Sequence, residues 1–233
     1  MNTENLIYKK NFTAVTLLFN SYVFIWWMEI GERVPALGKI RLEFIVGGVL
    51  CFLALMQYLH DKKTDINKDL KIIIVIFIIV MFLSIPLSVD PYYSWLAYKD
   101  KVLKYAAMTL FISIFVRAPR ELVYFCISTF LAFLKIGQEA FYGKITGSMV
   151  WMNQGIPRLH GEAGSMFGHP NSLSGKTISL FPFLWYVYPL LKSKIFKVLV
   201  LVQIVFTINI VVFTGSRTGY LTIIVLSFIL IVF

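Results

Sequence analysis

Apolar residues run along this chain in blocks about as long as a membrane is thick, and polar residues gather between the blocks. The blocks extend from about Phe12 to Met28, Leu42 to Leu59, Leu70 to Val89 (Pro86 near its end), Val102 to Val116, Leu122 to Ile136, Leu173 to Leu191, Ile195 to Phe213, and from Thr218 onward. Each approaches the roughly 20 residues that a transmembrane helix needs. The pattern predicts an all-α fold, a polytopic membrane protein of about eight transmembrane helices, forming a single membrane domain over residues 1–233.

Composition removes the alternatives. Of 233 residues, 58% are hydrophobic and only 15% charged, so a soluble helical domain is excluded. A net charge of +10 would suit nucleic acid on a polar chain. On this one it points instead to orientation signals, membrane lipids or an anionic substrate, and no nucleic-acid partner is expected. Cys51 and Cys126 fall inside apolar blocks and read as small hydrophobes. Lys9 and Lys10 precede the first block as in a signal peptide, but the block ends in Trp26, Trp27, Met28 and Glu29 without a small-residue cleavage site. An uncleaved first span is expected.

Basic residues in short connections set orientation. Lys9, Lys10, Lys62, Lys63, Lys68, Lys71, Arg117, Arg120, Lys192, Lys194 and Lys197 share one side, in the shorter connections. That side, with the N-terminus, is expected to be cytoplasmic. Arg33, Lys39, Arg41, Lys99, Lys101, Lys104, Lys144, Arg158, Lys176 and Arg217 fall outside. This outside excess needs a reason beyond topology, and an anionic substrate supplies one.

Two outside segments are more than connections. Tyr92 to Tyr105 places Trp95, Tyr98, Val102 and Tyr105 on one helical face and Lys101 and Lys104 on another, which suits the lipid headgroup level or an aromatic belt. Residues 137–172 form an outside loop. Its part from Gly137 to Pro157 mixes glycines with large apolar residues and reads as interfacial or re-entrant. The last block holds 16 residues, about 24 Å of helix, and stops without a polar flank, so a truncated or partial chain is expected.

Chemistry concentrates in Arg158 to Gly175 and in Thr214-Gly215-Ser216-Arg217-Thr218-Gly219. Pro170 disfavours helix at His169, and Asn171 or Ser172 then suits the cap of the following helix. Its free N–H groups and dipole make an anion site, which Arg158 and Lys176 reinforce. In the second motif Gly215 suits a helix end and Ser216 or Thr218 the next cap. Arg217 is the residue for bidentate phosphate contact. The candidate substrate-binding residues are therefore Arg158, Asn171, Ser216 and Lys176, with Arg217 the principal catalytic candidate. His160 and His169 are candidate bases, and Glu162 a further acid or base. Neither a metal-ligand spacing nor a phosphate-binding glycine loop is present.

The order Arg158…Gly161…Phe167…Pro170-Asn171, a span with Pro182 and Pro189, then Thr214-Gly215-Ser216-Arg217 resembles the bacterial O-antigen ligase and polymerase superfamily, as does Arg41-Leu42-Glu43-Phe44 at the start of the second block. The resemblance implies a GT-C-like enzyme of the bacterial inner membrane, working at the periplasmic face in lipopolysaccharide or exopolysaccharide assembly. It implies an undecaprenyl-diphosphate-linked glycan as donor and lipid A-core or another glycan as acceptor, with no metal or cofactor. Arg217 matches the first family arginine. The family's large periplasmic loop, with a second arginine and a histidine base, has no counterpart before Phe233, so the resemblance implies a C-terminally truncated member. Two rivals stand beside it: a transporter or flippase of lipid-linked or anionic solutes, and an inactive truncated fragment.

Overall fold

A computed structural model describes residues 14–60, 68–153, 155–162 and 165–232. Lys9, Lys10, Lys62 and Lys63, which carry part of the expected orientation, and the start of the first block lie outside the described residues.

Helices dominate, as the block pattern predicts. The order is α1 (Ala14–Met28), α2 (Ile30–Arg33), α3 (Pro35–Ile40), α4 (Leu42–His60), α5 (Lys68–Leu83), α6 (Pro91–Ala97), a π turn (Tyr98–Val102), α7 (Leu103–Phe115) and α8 (Pro119–Thr146). Then come strands β1 (Val150–Asn153) and β2 (Ile156–Leu159), followed by α9 (Pro170–Ser179), α10 (Phe181–Val187), a 3-10 turn (Tyr188–Leu190), α11 (Lys194–Thr214) and α12 (Arg217–Val232). Among the described residues, α8 and α11 are long and apolar enough to cross a membrane, whereas the apolar stretches Ala14–Met28, Leu42–Gln57, Ile72–Leu83 and Arg217–Ile229 are shorter.

Four expectations are redrawn. The fifth block does not stop near Ile136: α8 runs on to Thr146 through Gly137 and Gly143. A Cβ at Gly137 would sit 2.8 Å from Phe206, and one at Gly143 2.5 Å from the Met149 side chain, so both glycines serve close packing inside a helix. The rest of the supposed re-entrant stretch is a β-hairpin. The sixth block is broken at Leu180, where α9 ends and a new helix starts with Pro182 in its first turn. The helix of the third block, α5, ends at Leu83, ahead of Pro86, because proline disfavours helix in the residue before it.

The chain forms two compact units, residues Met1–Tyr22 with Glu43–Cys126, and Val23–Leu42 with Ile127–Phe233. In the first, Phe19, Tyr22, Phe111 and Phe115 are buried, with ring centroids 5.4 Å apart for Phe19–Phe115 and 5.7 Å for Tyr22–Phe111. Asp90 caps α6 by accepting from the Tyr93 N–H at 3.0 Å. The π turn that follows interrupts the single helical face read from Tyr92 to Tyr105, burying Tyr98 and leaving Trp95 and Tyr105 exposed.

The second unit carries the polar motifs. Its core contains Ala132, Phe133, Ile136, Leu159, Phe167, Leu173, Leu184 and Ile210. Trp27, Phe133 and Phe167 meet as three rings, 4.9 Å (Trp27–Phe133) and 5.8 Å (Phe133–Phe167) between centroids. Arg33 pairs with Glu139, whose other oxygen lies 3.5 Å from Lys135.

Candidate functional site

The site begins with the hairpin. Trp151 pairs with Arg158 and Val150 with Leu159, and Gly155 turns the chain at φ 78°. Directly opposed residues of an antiparallel pair project to the same face, and neighbours along a strand to opposite faces. Leu159 therefore enters the core while Arg158 and Trp151 share the other face. The His160 N–H donates to the Met149 carbonyl at 3.0 Å, extending the ladder by one step. His160 thereby joins the Arg158 face, and its ring packs on Trp151 with centroids 5.0 Å apart.

Arg158 is 5% exposed. Its Nε donates to the Thr214 carbonyl at 2.6 Å and its Nη2 to Asn171 Oδ1 at 2.8 Å. The Thr214 carbonyl belongs to the last turn of α11, where main-chain oxygens lack helical partners and the helix dipole is negative. Gly215 closes that helix at φ 57°, in the left-handed conformation that favours glycine. Ser216 then caps α12, its Oγ accepting from the Gly219 N–H at 3.1 Å. Among the described residues, no carboxylate pairs with Arg158. Its charge is held by neutral oxygens alone.

Sequence places Asn171 or Ser172 at the cap of α9, but the cap is His169. Its Nδ1 accepts from the Asn171 N–H at 3.2 Å, with Pro170 in the first turn. The Asn171 amide is thereby left to meet Arg158. The two histidines take opposite tautomers. A carbonyl only accepts, so His160 Nδ1, 2.6 Å from the Gly161 carbonyl, carries the proton and neutral His160 presents its lone pair at Nε2. His169 commits its Nδ1 lone pair to the cap and leaves only an N–H at Nε2. Of the two, His160 has the base-competent nitrogen.

Lys176 turns to the loop before α9. Its ammonium donates to the Met166 carbonyl at 2.7 Å and lies 5.1 Å from the Phe167 ring centroid. Glu29 accepts from the N–H of the same Met166 at 2.6 Å. Opposite charges thus hold both sides of one residue and seat Phe167 in the core. Glu162 is half-buried and has no ion pair among the described residues.

Arg217 opens α12, exposed and without a hydrogen bond or ion pair among the described residues. α9 and α12 pack together near their starts: a Cβ at Gly219 would collide with Ser174 Oγ, placing the two N-termini side by side. The structure therefore joins Arg158, Asn171, Ser216 and the base of Arg217 around one helix turn. His160 lies on the same hairpin face, while His169 and Lys176 act on the α9 cap and the preceding loop.

Two contributors went unread in sequence: the Thr214 carbonyl, a main-chain group without a side-chain signature, and Trp151. The signal for Trp151 was the Asn-Gln-Gly sequence at 153–155 between apolar-rich runs, a hairpin cue. Among the described residues, no group of three or more His, Cys, Asp or Glu side chains is placed to hold a metal ion. No protein-family profile, curated protein or solved structure matches this chain.

Proposed function

We propose that this chain is an O-antigen ligase- or polymerase-like membrane glycosyltransferase, multi-pass in a bacterial inner membrane with its N-terminus cytoplasmic. It takes an undecaprenyl-diphosphate-linked glycan at the periplasmic face. The observation that carries the reading is the buried Arg158 guanidinium, held without a counter-charge among the described residues beside the turn that presents Arg217. A buried ion costs several kcal/mol unless compensated. Two charge-assisted bonds to neutral oxygens offset about 1.5–3 kcal/mol each, and leave the positive potential free to act on an anion at the two helix starts.

The division of labour follows from exposure. Arg158 fixes the α11–α12 turn and adds its field, whereas Arg217 is free to meet the diphosphate. Departure of a diphosphate develops negative charge on its oxygen, and prepositioned guanidinium and helix-start N–H groups stabilise that charge. Membrane residence is supported by α5, whose Ile73, Ile76, Phe77, Val80 and Leu83 are each more than half exposed, a surface that needs lipid around it. The eight-span topology belongs to this reading, with the shorter apolar helices crossing alongside α8 and α11. The outside basic excess owes less to substrate than sequence suggested: Arg33 pairs with Glu139, Lys144 lies 4.4 Å from the Phe213 ring centroid, and Arg158 and Lys176 bind main-chain carbonyls.

The test is Arg217→Ala in the full chain, reconstituted in nanodiscs and titrated with a polyprenyl diphosphate. Binding weaker by about tenfold or more is expected from loss of one charge-assisted contact, with thermal stability unchanged and glycan transfer lost. Undiminished diphosphate binding would overturn the reading. A second reading, a carrier of lipid-linked or anionic solutes, is favoured by the helix break at Leu180 together with Gln203, buried in α11 with both amide atoms unpaired among the described residues. Solute flux across sealed proteoliposomes, without transfer, would favour it.

A further inference from the structure

Resting on the glycosyltransferase reading, we propose that Trp151 and His160 form the acceptor subsite, the indole stacking a pyranose ring and His160 Nε2 taking the proton of its attacking hydroxyl. The hairpin supplies the placement. Arg158, Trp151 and His160 project from one face, and residues 158 and 160 are separated by about 7 Å at the strand repeat. The Arg158 end of that face is pinned to the α11–α12 turn, so donor and acceptor groups are carried on one rigid element.

Each residue suits its part. Trp151 keeps 43% of its surface exposed although one side packs on His160, so it offers an aromatic surface to a ligand. The C–H edges of a sugar carry slight positive charge and complement the negative face of an indole. His160 is half-buried, and its tautomer is set by the bond from Nδ1 to the Gly161 carbonyl. Nε2 has no hydrogen-bond partner among the described residues. Histidine oriented through Nδ1 with Nε2 open is the arrangement a general base requires.

The step balances. The acceptor hydroxyl oxygen bonds to the anomeric carbon of the donor as the bond from that carbon to the diphosphate oxygen breaks. The bonding pair leaves with the diphosphate, whose charge Arg217 stabilises, and the hydroxyl proton passes to Nε2. The imidazolium releases it to water as the products leave. No oxidant, reductant or further reactant is consumed.

The experiment separates this inference from the one beneath it. The full chain in nanodiscs, with no polyprenyl donor present, is titrated with lactose, cellobiose and maltose and followed by saturation transfer to the sugar ring protons. Wild type is expected to bind at least one of them. Trp151→Ala should weaken that binding at least tenfold, and Trp151→Phe less than threefold. A wild type that binds none, or a Trp151→Ala variant that binds as wild type does, overturns the subsite. In transfer assays His160→Gln should keep sugar binding within about twofold and lower turnover by about 10²–10⁴. Unchanged turnover overturns the proton step. Absence of diphosphate binding and transfer in the wild type overturns the glycosyltransferase reading and the proton step with it, while sugar titration decides the stacking surface independently.

Discussion

Arg158 donates to the carbonyl of Thr214 at 2.6 Å, fifty-six residues further along the chain, and the same guanidinium reaches Asn171. Three segments that sequence separates are thereby held on one side chain: the hairpin, the start of α9 and the end of α11. The fork geometry of arginine is what permits this, since Nε and Nη2 point in different fixed directions.

Arg158→Lys keeps the charge and loses the fork. An ammonium meets only one of the two oxygens. If it leaves the Thr214 carbonyl, on a buried residue, unpaired, the cost is about 1–3 kcal/mol, and if it leaves the exposed Asn171 amide the cost is smaller. Asn171→Ala removes one arm alone and is expected to cost less. Because both changes touch one network, their sum should exceed the double variant by about 0.5–3 kcal/mol. Thermal unfolding in detergent of the two single variants and the double variant measures that coupling. Strict additivity would show that the Arg158–Asn171 bond contributes nothing to the turn.

The helices were legible because apolar length is a property of the chain itself. The second and seventh blocks, expected at Leu42–Leu59 and Ile195–Phe213, are Leu42–His60 and Lys194–Thr214. Glycine and proline misled, since their role depends on what packs against them. Gly137 and Gly143 lie inside a helix against Phe206 and Met149, while Pro182 starts a new helix where a continuous span was expected. In the site, the residue types and the two helix starts could be read in advance. Their partners could not: only the folded register shows that Asn171 turns to Arg158, that His169 supplies the cap, and that Lys176 faces Met166.

Glu29 links backbone strain to that loop. It sits at φ 46°, ψ 52°, in the left-handed region, while its carboxylate accepts from Met166 N–H. A side chain in this conformation costs about 1–2 kcal/mol relative to glycine. Glu29→Ala loses the carboxylate and keeps the backbone cost, whereas Glu29→Gly loses both. Glu29→Gly should therefore be the more stable of the two by about 1 kcal/mol, and both should fall below wild type. Proteolysis within residues 161–168 offers the second readout. Cleavage there should rise in both variants, because the Met166 N–H has lost its acceptor.

Two glycines in neighbouring helices make opposite predictions. Gly175 lies within α9, and a Cβ added there would meet nothing within 4 Å, so Gly175→Ala gains helix propensity and should stabilise by about 0.5–1 kcal/mol. Gly219 sits in the first turn of α12, where the same methyl group would strike Ser174 Oγ and approach Ser216 Cβ to 3.2 Å. Gly219→Ala should destabilise by about 1–3 kcal/mol through overpacking and push α9 and α12 apart at their starts, the place assigned to the diphosphate. Ser174 is fully buried and its hydroxyl has no partner among the described residues, so Ser174→Ala removes an unsatisfied group and opens the space that the new methyl group needs. The double variant Ser174→Ala, Gly219→Ala should recover most of the lost stability and of the diphosphate affinity together. Recovery of stability without affinity would mean that the spacing of the two helix starts does not govern anion binding, and that Arg158 and Arg217 act without them.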